Sequence, residues 1–480
     1  MKRIVKIYLA IVLIFIPLMV VNCGSDGDTT SPKISGITVT DISGTTATIS
    51  WTTDEPATSN IEYGPDTSYG YCYPSPADST ADRTSHSLIL SDLSPDTTYH
   101  LRVKSEDADG NKAMSGNQTF TAASISATPV TFPDANLEAA IREAIGKSQG
   151  DIYQSDLIGL SKLDAPDRGI ADLTGIEHCT SLTTLDLVEN QISDLSPLSS
   201  LTSLTELRLY DNQISDLSPL SSFTSLTYLN LFGNQISDLS PLSSLTSLTT
   251  LDLVENQISD LSPLSSLTSL TTLFLIANQI SDLSPLSSLT SLTTLGLGAN
   301  QINNLSPLSS LTSLTKLNLA SNQVSDISSL SSLTSLTKLY LSDNQISDAS
   351  PLPSLTSLTY LNLAGNQISD LSPLSSFTSL TTLGLGANQI SDLSPLSSLT
   401  SLTYLYLDSN QVSDISSLSS LTSLTFLYLN DNQISGIEPL VNNPGLGQGD
   451  RIYLMDNPLS STSINAYIQT LEARGVNVDY

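Results

Sequence analysis

Two columns of polar side chains recur in this chain at one fixed spacing, and both are of types that can do chemistry. Asn stands at 190, 212, 234, 256, 278, 300, 322, 344, 366, 388, 410 and 432. Asp follows four residues later at 194, 216, 238, 260, 282, 326, 348, 370, 392 and 414. A stacked column of carboxylates suggests a calcium stripe, but calcium takes about six to eight oxygens and each repeat offers one carboxylate. The alternative is local: an Asp side chain accepts hydrogen bonds from nearby backbone N–H groups and closes a turn. Asn304 standing within the Asp column fits that role as well, so turn capping is expected and no metal. Acid–base catalysis needs a second, differently placed carboxylate, which the column lacks. The three His (His86, His100, His178) lie outside the twelve regular repeats. There is no serine-nucleophile elbow, no His-Glu-x-x-His and no phosphate loop, so neither catalysis nor a cofactor is expected.

Charge narrows the partners. With 47 acidic against 17 basic residues the formal net charge is −30. Nucleic acid and anionic membrane faces need a basic patch, so both are poor partners and no nucleic-acid binding is expected. Cys23, Cys72 and Cys179 are too scattered for a disulfide framework or a zinc site. Cys72, between Tyr71 and Tyr73, is expected to be a free, half-buried loop thiol, and Cys179 to be buried packing.

The elements that position the two columns follow from the phrase around them. Leu-x-x-Leu-x-Leu-x-x-Asn-Gln-(Ile/Val) occurs twelve times between Leu182 and Asn432, each copy 22 residues after the last. A fixed period near 20 residues marks a solenoid. Leu185 and Leu187 lie two apart and therefore point to one side of a short strand. Asn190 must turn inward, where its amide can satisfy backbone groups of adjacent coils. Ile192, Leu195, Leu198 and Leu201 fill the return. Ser196-Pro197 looks like an N-cap followed by a first-turn Pro, opening a short 3-10-like segment, because 22 residues leave no room for a long helix. The pattern resembles the leucine-rich repeat. That resemblance implies one long face on which varying residues are displayed together, so function is read as binding.

Comparison of the copies shows where variation falls. Nearly every position is fixed except the third, fifth, seventh and eighth from the first Leu, which point outward from the strand. Arg208, Tyr210, Tyr228, Phe232, Phe274, Tyr340, Tyr360, Tyr404, Tyr406, Phe426 and Tyr428 stand at such positions. Drift on an unconstrained solvated face would produce variation too. Recurrent Tyr and Phe argue for recognition, since Tyr is a frequent hot-spot residue, although aromatic residues also suit strands. Neighbouring strands lie about 5 Å apart, so Tyr404, Tyr406, Phe426 and Tyr428 are expected to form one patch. Leu-Gly-Leu-Gly-Ala-Asn recurs at 295 and 383, an offset that points to block duplication.

Two further segments precede the repeats. Residues 1–22 read as a signal peptide: Lys2, Arg3 and Lys6 precede an apolar run from Ile7 to Val21, short of the roughly 20 residues that cross a bilayer. The segment ending at Cys23 resembles a bacterial lipobox, which implies lipidation of Cys23 and a membrane tether through lipid alone. Asn22 departs from the small residue usual there, so cleavage nearby and plain secretion stay open; Gly24 after the Cys suggests the outer membrane. After a linker (23–34), residues 35–122 carry short alternating strands such as Thr46-Ala-Thr-Ile-Ser-Trp51 and Tyr99-His-Leu-Arg-Val-Lys104, separated by turn residues. Trp51 should fill the core between two sheets. Leu93-Ser-Pro-Asp-Thr-Thr-Tyr99 resembles the approach to a tyrosine corner, and the segment is similar to a fibronectin type III domain, which implies a spacer.

Beyond a second linker (123–131), residues 132–180 begin with an amphipathic helix whose plausible N-cap is Asp134. Phe132-Pro-Asp-Ala-Asn-Leu-Glu-Ala-Ala-Ile-Arg-Glu-Ala-Ile-Gly146 resembles the N-terminal cap of internalin-type bacterial repeat proteins. Residues 181–445 hold the repeats. Residues 446–480 hold a last irregular coil and a C-terminal cap, with a short helix over Ser463–Arg474 and a final strand. The expected fold is mainly β with short 3-10 and helical segments: an immunoglobulin-like sandwich, then a capped solenoid. The internalin resemblance implies recognition of a protein, or of a surface glycan, on the concave face of an exported envelope protein. The anchoring and the position of the sandwich depart from internalins, so host invasion does not carry over. The alternative is a self-associating envelope or matrix scaffold.

Overall fold

The computed structural model describes residues 29–74, 78–124 and 128–480. The expected signal segment 1–22 and the lipidation candidate Cys23 lie outside the described residues. The chain divides into two compact units at residues 126 and 127.

Eight strands build the first unit. They are β1 (Ser35–Thr40), β2 (Ala47–Ala57), β3 (Asn60–Gly64), β4 (Tyr71–Tyr73), β5 (Arg83–Leu90), β6 (Thr98–Glu106), β7 (Lys112–Met114) and β8 (Gln118–Thr121). One antiparallel sheet runs β1-β2-β5 and the other β4-β3-β6-β7, with β8 also on β6. Their inward residues form one core that includes Ile49, Trp51, Leu90, Ile61, Leu101, Val103 and Phe120. Trp51 is buried as expected; its Nε1–H donates to Ser105 Oγ at 3.1 Å, so the one polar atom of the ring is satisfied. The Tyr99 hydroxyl accepts from Ser94 N–H at 2.9 Å, tying the strand back to the loop before it. Cys72 departs from expectation. It lies on β4, at the edge of its sheet, and is exposed rather than half-buried in a loop.

The second unit is a parallel sheet of fifteen strands, from Lys162–Asp164 to Asn477–Asp479, in strict sequence order. Register is fixed by the period: Leu185 pairs with Leu207, Leu207 with Leu229, and so on. All the repeat leucines point into one continuous apolar column. The Asn residues turn inward as expected. Asn212 Oδ1 accepts from Ile192 N–H at 2.9 Å, while Nδ2 donates to the Leu187, Leu209 and Tyr210 carbonyls at 3.0, 3.1 and 3.3 Å. A second ladder, not foreseen, runs along the Thr that precedes each strand: Thr205 Oγ1 donates to Thr183 O at 3.1 Å, Thr227 to Thr205 at 3.0 Å.

The return segments are 3-10 turns such as Ser196–Leu198 and Ser240–Ser244. Their capping differs from expectation. Ser196 is the first residue of the turn, not its cap; it donates through N–H and Oγ to Asp194, both at 2.8 Å. The Asp column supplies the acceptor and the Ser the donors, since an ionised carboxylate only accepts while the Ser N–H and hydroxyl can both donate to it.

Both ends are closed. Helix α1 (Ala135–Ile145) is capped by Asp134, whose Oδ1 accepts from Asn136 and Leu137 N–H. Its Oδ2 accepts from Ala171 and Asp172 N–H at 2.8 and 3.2 Å, so one carboxylate joins the cap helix to the first coil. At the other end the expected helix opens with a π-turn, Ser463–Tyr467, and continues as Ile468–Ala473.

Candidate functional site

The outer face of the repeat sheet is less free than the variation suggests. At the fifth position, Asn230, Asn318 and Asn362 each accept through Oδ1 from the N–H two residues on, at 3.0 Å. Asp186 and Asp252 do the same toward Val188 and Val254. These side chains end the strand and are structural in the first instance. The eighth position is constrained by its backbone. Glu189, Asp211, Glu255, Ala277, Ala299, Ser321, Asp343, Ala387, Ser409 and Asp431 all have φ between 51° and 57°. A left-handed backbone disfavours bulky and β-branched residues, which accounts for the small and acidic set found there. Variation at the eighth position is therefore limited by the backbone. Five of the twelve fifth-position residues end their own strand, while Arg208, Phe274, Tyr340, Tyr406 and Tyr428 stand at the fifth position as candidate contacts.

The aromatic candidates assemble into separate groups. Tyr404 stacks on Phe426 with centroids 4.9 Å apart and planes 12° from parallel. Tyr406 stacks on Tyr428 at 4.7 Å, and Tyr428 on Tyr453 at 4.4 Å. The C-terminal patch thus forms as expected and extends one ring further. Tyr453 stands 25 residues after Tyr428 in the irregular last coil, yet the two are direct partners across neighbouring strands. Burial first, then a hydrogen bond with Tyr453, raises the pKa of the Tyr428 hydroxyl above that of an ordinary phenol. Tyr340 and Tyr360 make a second pair at 4.6 Å, and Tyr210 and Phe232 a looser third at 6.2 Å. The Arg208 guanidinium lies 5.5 Å from the Tyr228 ring centroid and pairs with Asp186 at 3.3 Å and Glu206 at 2.5 Å. Its charge is already met within the face.

Phe274 stands apart from the other rings. A Cβ built on Gly296 would come within 2.8 Å of Phe274 Cδ1 and 3.2 Å of Ile276 Cδ1, so the ring and its neighbour cover the glycine strand. The duplicated Leu-Gly-Leu-Gly at 383 has a different surrounding. There the preceding coil supplies Asn362, and a groove of about 340 Å³ remains over Gly384 and Gly386. Tyr360 and Tyr406 line it together with Asp343 and Asp408. In the sequence these glycines show only as part of a duplicated block; the signal available was a Gly pair lying between aromatic coils.

Away from this face, the Asp column lies along the turns. The acceptor bonds from the following Ser hold Asp216, Asp260, Asp282, Asp326 and Asp392 below the usual carboxylate range, backbone N–H first and hydroxyl second. Among the described residues no group of three or more His, Cys, Asp or Glu is placed to hold a metal ion. Cys179 is buried, and burial pushes its thiol up to about 12.

Comparison with known proteins follows this division of the chain. A family model described as leucine-rich repeats matches in overlapping windows from residue 180 to 442. Residues 32–122 match the N-terminal domain of purple acid phosphatase. Among solved structures, an internalin (InlF) from Listeria monocytogenes is 39% identical with a TM-score of 0.65, covering 69% of this chain and 98% of that one. The functional domain of InlJ from the same organism is 28% identical with a TM-score of 0.54, covering 68% and 80%. A leucine-rich repeat protein of Leptospira interrogans shares the fold at 22% identity, with a TM-score of 0.57 and coverage of 68% and 97%. No curated protein matches the chain.

Proposed function

This chain belongs to the leucine-rich repeat family, in its internalin-like form, and from that premise we propose that it is an exported binding protein. Its ligand is a protein, held on the outer face of the repeat sheet, and the chain performs no catalysis. The observation that carries the reading is the concentration of stacked Tyr and Phe on that one face, ending in Tyr404, Phe426, Tyr406, Tyr428 and Tyr453. Rings held by their neighbours lose little conformational freedom on binding, which favours them as anchors.

The first unit acts as a fibronectin type III-like spacer. Its strand order and the Tyr99–Ser94 bond support that role; the similarity of residues 32–122 to a phosphatase domain carries no activity over with it. Lys2, Arg3, Lys6, the apolar run and Cys23 support export with a lipid tether at the outer membrane. Cys23→Ser should abolish incorporation of labelled palmitate; unchanged labelling would remove the tether from the proposal, and absence of labelling in the wild type would favour secretion.

Recognition is tested by capture from envelope and culture-matrix extracts. The wild type is compared with a variant carrying Ser at 404, 406, 426 and 428, after circular dichroism has confirmed unchanged folding. A partner held by the first and lost by the second is expected. Equal capture by both would sink the site assignment, and self-capture alone would favour the scaffold reading.

A further inference from the structure

We propose that the groove over Gly384 and Gly386 receives an arginine side chain presented by the protein ligand. The inference rests on the sheet face being the recognition surface, and it names the chemistry of one contact there. Tyr360 and Tyr406 stand on the strands either side of the glycine strand. Each ends an aromatic group that leads away from the groove: Tyr360 packs on Tyr340 at 4.6 Å, and Tyr406 on Tyr428 at 4.7 Å. Both rings line the groove over Gly384 and Gly386. Aromatic rings lining a groove suit a flat, weakly hydrated cation.

Charge completes the match. Asp343 and Asp408 line the same groove from coils on opposite sides of it. Among the described residues neither carboxylate takes part in an ion pair or side-chain hydrogen bond, whereas Asp186 is paired with Arg208 at 3.3 Å. Two unmet carboxylates beside two rings favour guanidinium over ammonium, since the planar fork can stack and donate sideways at once. The net charge of −30 steers a basic segment toward the protein. The duplicated glycine strand at Gly296 has other neighbours: Phe274 and Ile276 stand where Gly384 has Asn362 and Ala364, and Asn318 stands in place of Tyr406.

The test uses the full exported protein and fluorescein-labelled acetyl-tetra-arginine amide, read by fluorescence anisotropy, with tetra-lysine and maltotriose as comparison probes. Asp343→Asn with Asp408→Asn removes the charge while keeping shape, and Asn tolerates the left-handed backbone at 343. Glu255→Gln with Asp431→Asn makes the same change of net charge elsewhere on the face. Gly386→Ala narrows the groove without altering charge, its methyl lying within 2.8 Å of Asp408 Oδ1. Tetra-arginine should bind the wild type and the Glu255/Asp431 variant alike, and at least tenfold more weakly to the other two. Equal losses in both charge variants would reduce the effect to non-specific attraction and overturn the proposal. So would unchanged binding to G386A, equal affinity for tetra-lysine, binding of maltotriose instead, or no binding of tetra-arginine at all. Because the probe is a peptide and not the natural partner, failure here leaves the extract-capture result standing, and the reverse also holds.

Discussion

Removing one rung of the asparagine ladder should weaken the solenoid by an amount that can be worked out bond by bond. Asn300 Oδ1 accepts from Ile280 N–H at 3.0 Å, and Nδ2 donates to Leu275, Leu297 and Gly298 carbonyls at 2.9, 3.1 and 3.1 Å. In Asn300→Ala the three carbonyls are not orphaned. Leu275 O still receives Asn278, Leu297 O receives Asn322, and Gly298 O receives Ala277 N–H. Only the buried Ile280 N–H loses its sole partner. One orphaned buried donor costs about 1–3 kcal/mol, and the space left by the amide adds about 1 kcal/mol. The expected loss is thus about 3 kcal/mol, most of it from the one orphaned donor. Urea denaturation, followed by circular dichroism, measures it. Because each coil contacts only its neighbours, the transition should also broaden or split around the weakened interface. Asn300→Asp separates donor from acceptor: one oxygen still accepts from Ile280, while the other faces carbonyl oxygens. That arrangement raises the carboxyl pKa in the folded state, so stability falls as pH rises from the unfolded value through the folded one. A loss below about 1 kcal/mol in N300A, or a pH-independent N300D, would refute this account of the ladder.

Further outcomes follow from the caps, the sandwich and the thiols. Burial alone would raise the Asp134 pKa, but N–H groups of Ala171, Asp172, Leu137 and Asn136 outweigh it and hold the carboxyl below its usual range. Its folded pKa lies below the unfolded one, so its contribution is present above roughly pH 4 and is lost as pH falls through the folded value; Asp134→Asn should flatten that acid limb in hydrogen exchange of α1. Tyr99→Phe leaves Ser94 N–H without its acceptor and should cost the sandwich about 1–2 kcal/mol by thermal melting, with no change in the solenoid transition. At pH 8, iodoacetamide followed by peptide mass spectrometry should find the exposed Cys72 alkylated quickly, and Cys179, pushed up to about 12, only after denaturation. Equal rates at the two sites would contradict the burial of Cys179.

Much of the architecture was legible because it is periodic. The pairing of Leu185 with Leu207 follows from a 22-residue spacing alone, and so does the inward turn of Asn190. Asp134 and Trp51 were legible for a different reason: a cap and a core aromatic are dictated by their immediate surroundings. Elsewhere the pattern misled. Equal variability at the third, fifth and eighth positions concealed a left-handed backbone at the eighth and a strand-ending hydrogen bond from the Asn and Asp residues at the fifth. Cys72 was misplaced because three residues, Tyr71–Tyr73, are too few to announce an edge strand.

The candidate face divides in the same way. Its location, its aromatic content and the meeting of Tyr404, Tyr406, Phe426 and Tyr428 belong to the sequence, since a fixed period carries each residue to a known strand and a known side. What fills the space above a strand is decided between coils, by side chains 22 or 44 positions apart. The same Leu-Gly-Leu-Gly meets Phe274 and Ile276 at 295, and Asn362 and Asp408 at 383, where a groove lies above it. Likewise Arg208 is met by Asp186 and Glu206, while Asp343 and Asp408 have no ion-pair partner among the described residues. Periodicity determines which residues become neighbours. Only packing in three dimensions determines what those neighbours place against a glycine and whether a groove forms there.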